Sequence, residues 1–205
     1  MGEASVHGVI LAAGKAERFG REKLTVEYLG RPLIAHVIGA VAAAVRQGTL
    51  AGGFVVHRPG ADLIEKLARQ GGLTPVESTN ADGGMSESLR AGIAAAEATR
   101  QAGAVLVFPG DQPHVRGDVI SQLVRAWRDG KAPALRPSYS EQPGTPNHPV
   151  LLGSTLWPLA SRLQGDTGFS TIFQQHPELV LTIEVAGSNP DMDTPHDLLQ
   201  SSPSS

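Results

Sequence analysis

Cysteine is absent from the 205 residues. Disulfides, thiol nucleophiles, iron–sulfur ligation and cysteine zinc sites are therefore excluded. The seven histidines are scattered, with no H-x-x-x-H or H-E-x-x-H pair, so a histidine zinc site is not expected. No apolar run approaches the ~18 residues that a membrane span needs. The segment Met1 to His7 lacks the basic stretch, long apolar run and cleavage site of a signal peptide. A cytoplasmic location with no membrane partner is the expectation. An excess of positive charge is also missing, since 17 Lys and Arg face 20 Asp and Glu for a formal net charge of -3. Nothing here suits a general nucleic-acid binder, so any anion site has to be local. Neither a P-loop, nor the G-x-G-x-x-G of a dinucleotide-binding turn, nor a G-x-S-x-G nucleophile elbow occurs.

What is present is a foldable chain: 40% hydrophobic and 18% charged residues exclude a disordered tail. The length suits one domain, expected over residues 1–200, with 201–205 as a frayed tail. Val6 to Leu11 reads as a buried strand running into Ala12-Ala13-Gly14, and a long irregular stretch follows. After Pro32, the residues Leu33, Val37, Val41 and Val45 recur on one helical face up to about Gly48. Further strands are expected at Phe54 to Val56, Leu73 to Glu77, Ala104 to Phe108, Ala134 to Pro137, Val150 to Leu152 and Leu179 to Val185. Helices are expected at Ala61 to Gln70, Ser86 to Arg100, Asp118 to Arg128 and Leu156 to Leu163. Such alternation predicts an α/β sandwich with a mainly parallel sheet covered on both faces. Ligands of such sheets bind beyond the carboxyl ends of the strands, which points to the loops after Leu11 and Phe108.

Between Leu11 and Leu24 the sequence LAAGKAERFGREKL combines small residues with four cations, Lys15, Arg18, Arg21 and Lys23, in nine positions. Backbone amides and these cations suit a polyphosphate, although a solvated loop balanced by Glu17 and Glu22 is the plain alternative. Asp111, in Pro109-Gly110-Asp111-Gln112-Pro113, is placed to offer Mg2+ a hard oxygen ligand or to serve as a turn residue. Asp191 and Asp193 offer further metal oxygens, while Asp193 or Thr194 equally suits the cap of a helix begun by Pro195. Asn80 to Leu89 brings glycines and hydroxyls to a helix start, where Ser86 either meets a ligand or caps the helix. His148, in a Pro- and Gly-rich loop, is a candidate substrate contact.

Taken together, LAAGKAERFGREKL, GMSESLRAG (Gly84 to Gly92), PGDQP, PNHPV (Pro146 to Val150), GDTG (Gly165 to Gly168) and DMDTPHD (Asp191 to Asp197) resemble the molybdenum cofactor cytidylyltransferase group of the MobA-like nucleotidyltransferases. The resemblance implies a Rossmann-like three-layer sandwich of the nucleotide-diphospho-sugar transferase type. It implies transfer of a nucleoside monophosphate, CMP from CTP rather than from GTP, to the phosphate of a molybdenum-pterin cofactor, with Mg2+ and release of pyrophosphate. A molybdoenzyme or its chaperone would then receive the product. By position, Leu11, Ala12, Ala13 and Gly14 would meet the nucleotide, with Arg18 and Lys23 neutralising its triphosphate. Asn80, Gly84, Ser86 and Ser88 would line base and ribose. Asp111 and Asp193 would hold the metal, and His148, Asp166 and Gly168 would face the pterin. In this family a Leu-Ala-Ala-Gly loop accompanies CTP and Leu-Ala-Gly-Gly accompanies GTP, so the Ala13 methyl is expected where a purine would extend. The acceptor phosphate is already ionised at neutral pH, so no general base is needed and Arg18, Lys23 and Asp111 carry the catalysis. Two other functions fit the same loops: transfer to another small phosphorylated acceptor, and reduction of a small pigment by a nicotinamide cofactor.

Overall fold

The computed structural model describes residues 5–14, 23–130, 132–142 and 147–200. Arg18 and the other residues of 15–22 lie outside the described residues, as do Thr145, Pro146 and the expected tail 201–205. The chain forms β1 (Ser5–Ala12), a 3-10 turn (Lys23–Thr25), a small hairpin of β2 (Glu27–Tyr28) and β3 (Arg31–Pro32), and then α1 (Leu33–Arg46). There follow β4 (Gly52–His57), α2 (Asp62–Gln70), β5 (Thr74–Glu77), α3 (Met85–Glu97) and β6 (Ala102–Pro109). The remainder comprises α4 (Gly117–Arg128), β7 (Ala134–Tyr139), β8 (Val150–Gly153), α5 (Phe169–Gln175), β9 (Val180–Val185) and α6 (Pro195–Gln200).

Seven strands join in the order β5-β4-β1-β6-β8-β7-β9. All neighbours run parallel except at β8, which is antiparallel to both β6 and β7. The physical reason is the length of the connection from Tyr139 to Val150, ten residues, which is shorter than the dozen or more that a parallel crossover needs, so the chain returns antiparallel. Along the strands the side chains alternate between two cores, as a period of two requires. Val6, Ile10, Val55, Leu106, Phe108 and Leu135 face α1, α2 and α4. Val9, Val56, Val105, Val107 and Leu152 face α3, α5 and the segment between β8 and α5. Helices thus cover both faces.

Three expectations need correction. The helix expected at Leu156 to Leu163 is a 3-10 helix, Ser154–Arg162, with Pro158 inside it, because proline removes a donor and clashes with the preceding turn of an α-helix. The stretch before Pro32 holds the β2–β3 hairpin, and α5 forms where no helix was expected. Its sequence FSTIFQQ has weak helix propensity, and burial of Phe169 and Phe173 carries it.

The order of strands also fixes a crevice. From β1 the chain moves outward to β4 and β5, then crosses back to β6 on the other side of β1, so the direction reverses between β1 and β6. Gly110 closes the bottom of that gap. Its N–H donates to the Leu11 carbonyl at 3.0 Å, and a Cβ there would lie 2.9 Å from that same oxygen. The glycine therefore serves close approach of one loop to another.

Candidate functional site

Three charged residues from distant parts of the chain converge at the carboxyl ends of β1 and β6. The Lys23 ammonium donates to Asp111 Oδ2 at 2.7 Å and to Asp193 Oδ1 at 2.8 Å. Side-chain exposure rises from 12% at Lys23 to 27% at Asp111 and 56% at Asp193, so the lysine forms the floor and the carboxylates the rim. Burial works against the Lys23 charge, but the hydrogen bonds to Asp111 and Asp193 outweigh it and hold the ammonium above the usual lysine range.

The support beneath this cluster explains how a residue as late as Asp193 reaches it. Met192 is fully buried against Tyr28 and Leu33, and its N–H donates to the Asp111 carbonyl at 3.1 Å. The hairpin and α1 thereby pin the acidic segment beside β6. Thr194 and Asp197 form a reciprocal capping pair, with Thr194 N–H to Asp197 Oδ2 at 2.7 Å and Asp197 N–H to Thr194 Oγ1 at 3.3 Å. Of the two capping candidates Thr194 is the one used, and Asp193 points to Lys23. Asp191 accepts from Gln112 Nε2 at 2.9 Å, and Gln112 in turn accepts from Asn189 Nδ2 at 3.1 Å. Partial desolvation, followed by the charges of Asp111 and Asp193, raises the Asp191 carboxyl above the usual range against the pull of Gln112 and Lys23.

Beside the cluster, Leu11, Ala12, Ala13 and Gly14 form the exit of β1. Arg58, at the end of the neighbouring β4, donates to the Ala13 carbonyl at 3.0 Å. Ala13 is only 1% exposed.

Gly84 occupies the N-cap position of α3 with φ 85° and ψ -171°. A Cβ there would lie 2.3 Å from the Gly165 carbonyl carbon, so the two motifs GMSES and GDTG touch backbone to backbone. Ser86 N–H donates to the Gly165 carbonyl at 3.0 Å, and Met85 N–H donates to Asp166 Oδ1 at 3.2 Å. Ser86 lies inside the first turn and does not cap it. Its fully buried Oγ has no hydrogen-bond partner among the described residues, and Ser88 is buried as well. Asn80 is exposed on the approach to α3.

A cleft of about 540 Å³, partly open to solvent, lies against this junction. Its walls include Leu11, Met85, Leu89, Val150, Phe169 and Phe173, and its polar lining comes from Arg136, Asn147, His148 and Ser170. Gly168 also lines it, whereas Asp166 stays outside at the α3 terminus. Burial lowers His148 to about 4, with the Asp111 charge acting weakly in the other direction, so the imidazole is neutral at physiological pH. Its buried Nδ1 has no hydrogen-bond partner among the described residues, and its carbonyl accepts from Tyr139 Oη at 3.0 Å. Burial pushes that phenol up to about 12.

A family model described as the MobA-like NTP transferase domain matches residues 8–180. The chain belongs to the MobA-like NTP transferase family. It is 31% identical over 200 residues to nicotine blue oxidoreductase of Paenarthrobacter nicotinovorans, covering 92% of each chain. It is 28% identical to the purine catabolism protein PucB of Bacillus subtilis (strain 168), covering 93% of this chain and 92% of that one. Among solved structures, Rv0371c of Mycobacterium tuberculosis H37Rv superimposes with a TM-score of 0.78 at 24% identity, over 98% of this chain and all of the other. A complex of Rv0371c with manganese gives 0.74. The fold of this MobA-like protein is the α/β three-layer sandwich of nucleotide-diphospho-sugar transferase type, with a mainly parallel sheet.

Sequence reasoning missed Arg58, Gln112, Met192 and the aromatic wall of Phe169 and Phe173 in this MobA-like domain. A basic residue directly after a parallel strand was the one available signal for Arg58. The others have no local pattern. Among the described residues, no group of three or more His, Asp or Glu is placed to hold a metal, and no helix is long and apolar enough to cross a membrane.

Proposed function

We propose that this MobA-like protein transfers CMP from CTP to the terminal phosphate of a molybdenum-pterin cofactor. An oxygen of the acceptor phosphate attacks the α-phosphorus, the bond from the α-phosphorus to the bridging oxygen breaks, and pyrophosphate leaves. The observation that carries this reading is a charged cluster at the strand ends beside a largely apolar cleft. A reacting phosphate suits the first, and the faces of a flat pterin ring suit the apolar walls of the second, where Arg136, Asn147, His148 and Ser170 offer hydrogen-bonding partners to its polar edge.

The donor set fits a divalent cation. Two carboxylates, Asp111 and Asp193, already converge on one positive charge, and Mg2+ characteristically takes one or two carboxylates with the rest from phosphates and water. Bound there, Mg2+ would supply charge neutralisation at the α-phosphate. The chain's own residues do the rest. Backbone amides of Ala12 to Gly14 orient the triphosphate, Arg18 and Lys23 neutralise it, and Asn80 to Ser88 border the base and ribose. His148 offers the acceptor ring a neutral hydrogen-bonding edge, with Gly168 and the phenylalanines as walls and Asp166 fixing the junction behind them. No residue needs to remove a proton. Residues 1–200 act as one domain in the cytoplasm, and the product passes to a molybdoenzyme or its chaperone.

A second reading, nicotinamide-dependent reduction of a small planar substrate, is favoured by the similarity to nicotine blue oxidoreductase. One experiment separates them: purified protein with Mg2+ is given CTP or GTP plus the pterin cofactor, or NADPH plus a pigment acceptor. Pyrophosphate release with CTP and formation of a cytidylylated pterin support the first reading. Nicotinamide oxidation without pyrophosphate supports the second and sinks the first.

A further inference from the structure

The Lys23 ammonium sits within hydrogen-bond distance of both carboxylates assigned above to the metal, and it is the least exposed member of the three. An ammonium has three donors, and two are committed here. With Lys23 in place, Asp111 and Asp193 together carry one uncompensated negative charge; without it they carry two. A dication arriving from solution meets a half-neutralised pair and the repulsion of a buried cation directly behind it. A triphosphate changes both terms, because its oxygens attract the ammonium and add ligands for the dication.

From this juxtaposition we propose that Lys23 is an internal counter-ion that keeps the carboxylate pair weak for free divalent cations, so that metal and nucleotide bind as a coupled pair. Transfer of the Lys23 ammonium from the carboxylates to the triphosphate is the exchange that couples them. The proposal rests on the metal assignment made under the proposed function. Coupling between two ligands is reciprocal: nucleotide strengthens metal binding by the same factor as metal strengthens nucleotide binding, typically roughly 5- to 150-fold. Lys23 is then more than a phosphate contact, since its removal increases an affinity.

The test is Mn2+ binding to the full chain, read from loss of the free Mn2+ paramagnetic resonance signal, with and without CTP and corrected for CTP alone. Wild type is expected to bind Mn2+ weakly without nucleotide. Lys23→Met, which keeps the length and loses the charge, is expected to bind it at least about tenfold tighter and to lose most of the CTP-dependent gain. Lys23→Arg keeps the charge and is expected to stay weak. Nucleotide-free Mn2+ binding by Lys23→Met no tighter than by wild type overturns the proposal. If that variant does not fold, as judged by circular dichroism, wild type decides: Mn2+ bound as tightly without CTP as with it overturns the proposal. Failure of the metal assignment has a different signature, namely Asp111→Asn binding Mn2+ as wild type does in the presence of CTP.

Discussion

Replacing Gly84 by alanine should loosen the junction that joins the start of α3 to the Gly165–Gly168 turn. At φ 85° and ψ -171° the backbone occupies a region essentially reserved for glycine, and an L-residue there costs about 1–3 kcal/mol. The added Cβ would also lie 2.3 Å, 2.5 Å and 2.8 Å from the Gly165 carbon, the Gly165 oxygen and the Asp166 nitrogen. These are backbone atoms, so no side-chain rotation relieves the overlap and the turn itself must move. Movement endangers the bonds from Ser86 N–H to Gly165 and from Met85 N–H to Asp166, each worth about 1 kcal/mol net when exposure is allowed for. The sum is about 3–5 kcal/mol. In a domain of this size each kcal/mol lowers Tm by roughly 2–4 °C, so a fall on the order of 6–20 °C is expected in calorimetry or circular dichroism melts. Met85 and Gly168 line the cleft on either side of this contact, so KM for the acceptor should rise more than KM for the nucleotide. A Gly84→Ala variant melting within about 2 °C of wild type would refute the backbone-contact argument.

Three further outcomes are expected. Asp111→Asn should keep the fold and lower turnover at least about 100-fold, the scale of losing one key electrostatic group; near wild-type steady-state turnover would remove Asp111 from the chemistry. Arg58→Ala leaves the Ala13 carbonyl without its charged donor, a contact worth about 1.5–3 kcal/mol, or roughly 10- to 100-fold in affinity. KM for CTP should rise toward the lower end of that range, because Arg58 is half-exposed, and an unchanged KM would show that the contact does not hold the loop. Because His148 is held at about 4 in the folded state and near 6.5 when unfolded, the unfolded chain binds more protons between those values. Its contribution, up to about 3 kcal/mol, is complete above pH 6.5 and is lost as pH falls toward 4. Asp191, raised in the folded state, acts in the opposite sense, so the check is the difference in urea stability between wild type and His148→Asn across pH 4–7. A difference that does not vary with pH would contradict a buried neutral imidazole.

The sheet and its helices could be read from the chain wherever one residue's neighbours carried the pattern. The runs Val6 to Leu11 and Ala104 to Phe108 are apolar because both of their faces are covered. Asp111 stood out because it follows such a run. The geometry around it did not, because Lys23, Asp111 and Asp193 are brought together by tertiary packing of Met192 on Tyr28, and no spacing in the sequence encodes that contact. The same holds for α5, whose β-branched and aromatic residues argue locally against a helix until Phe169 and Phe173 find the second core.

The seven-stranded sheet is complete at Val185, before the last carboxylate of the charged cluster has entered the chain. Folding and competence therefore have separate end points along the polypeptide. A nascent or nicked chain ending near Asn189 would retain every strand and every helix through α5, yet Lys23 would face Asp111 alone and the pocket floor would carry no net negative charge from that pair. Such a chain would pass tests of compactness while being unable to gather a dication, and damage to this segment would register as lost turnover well before it registered as lost structure.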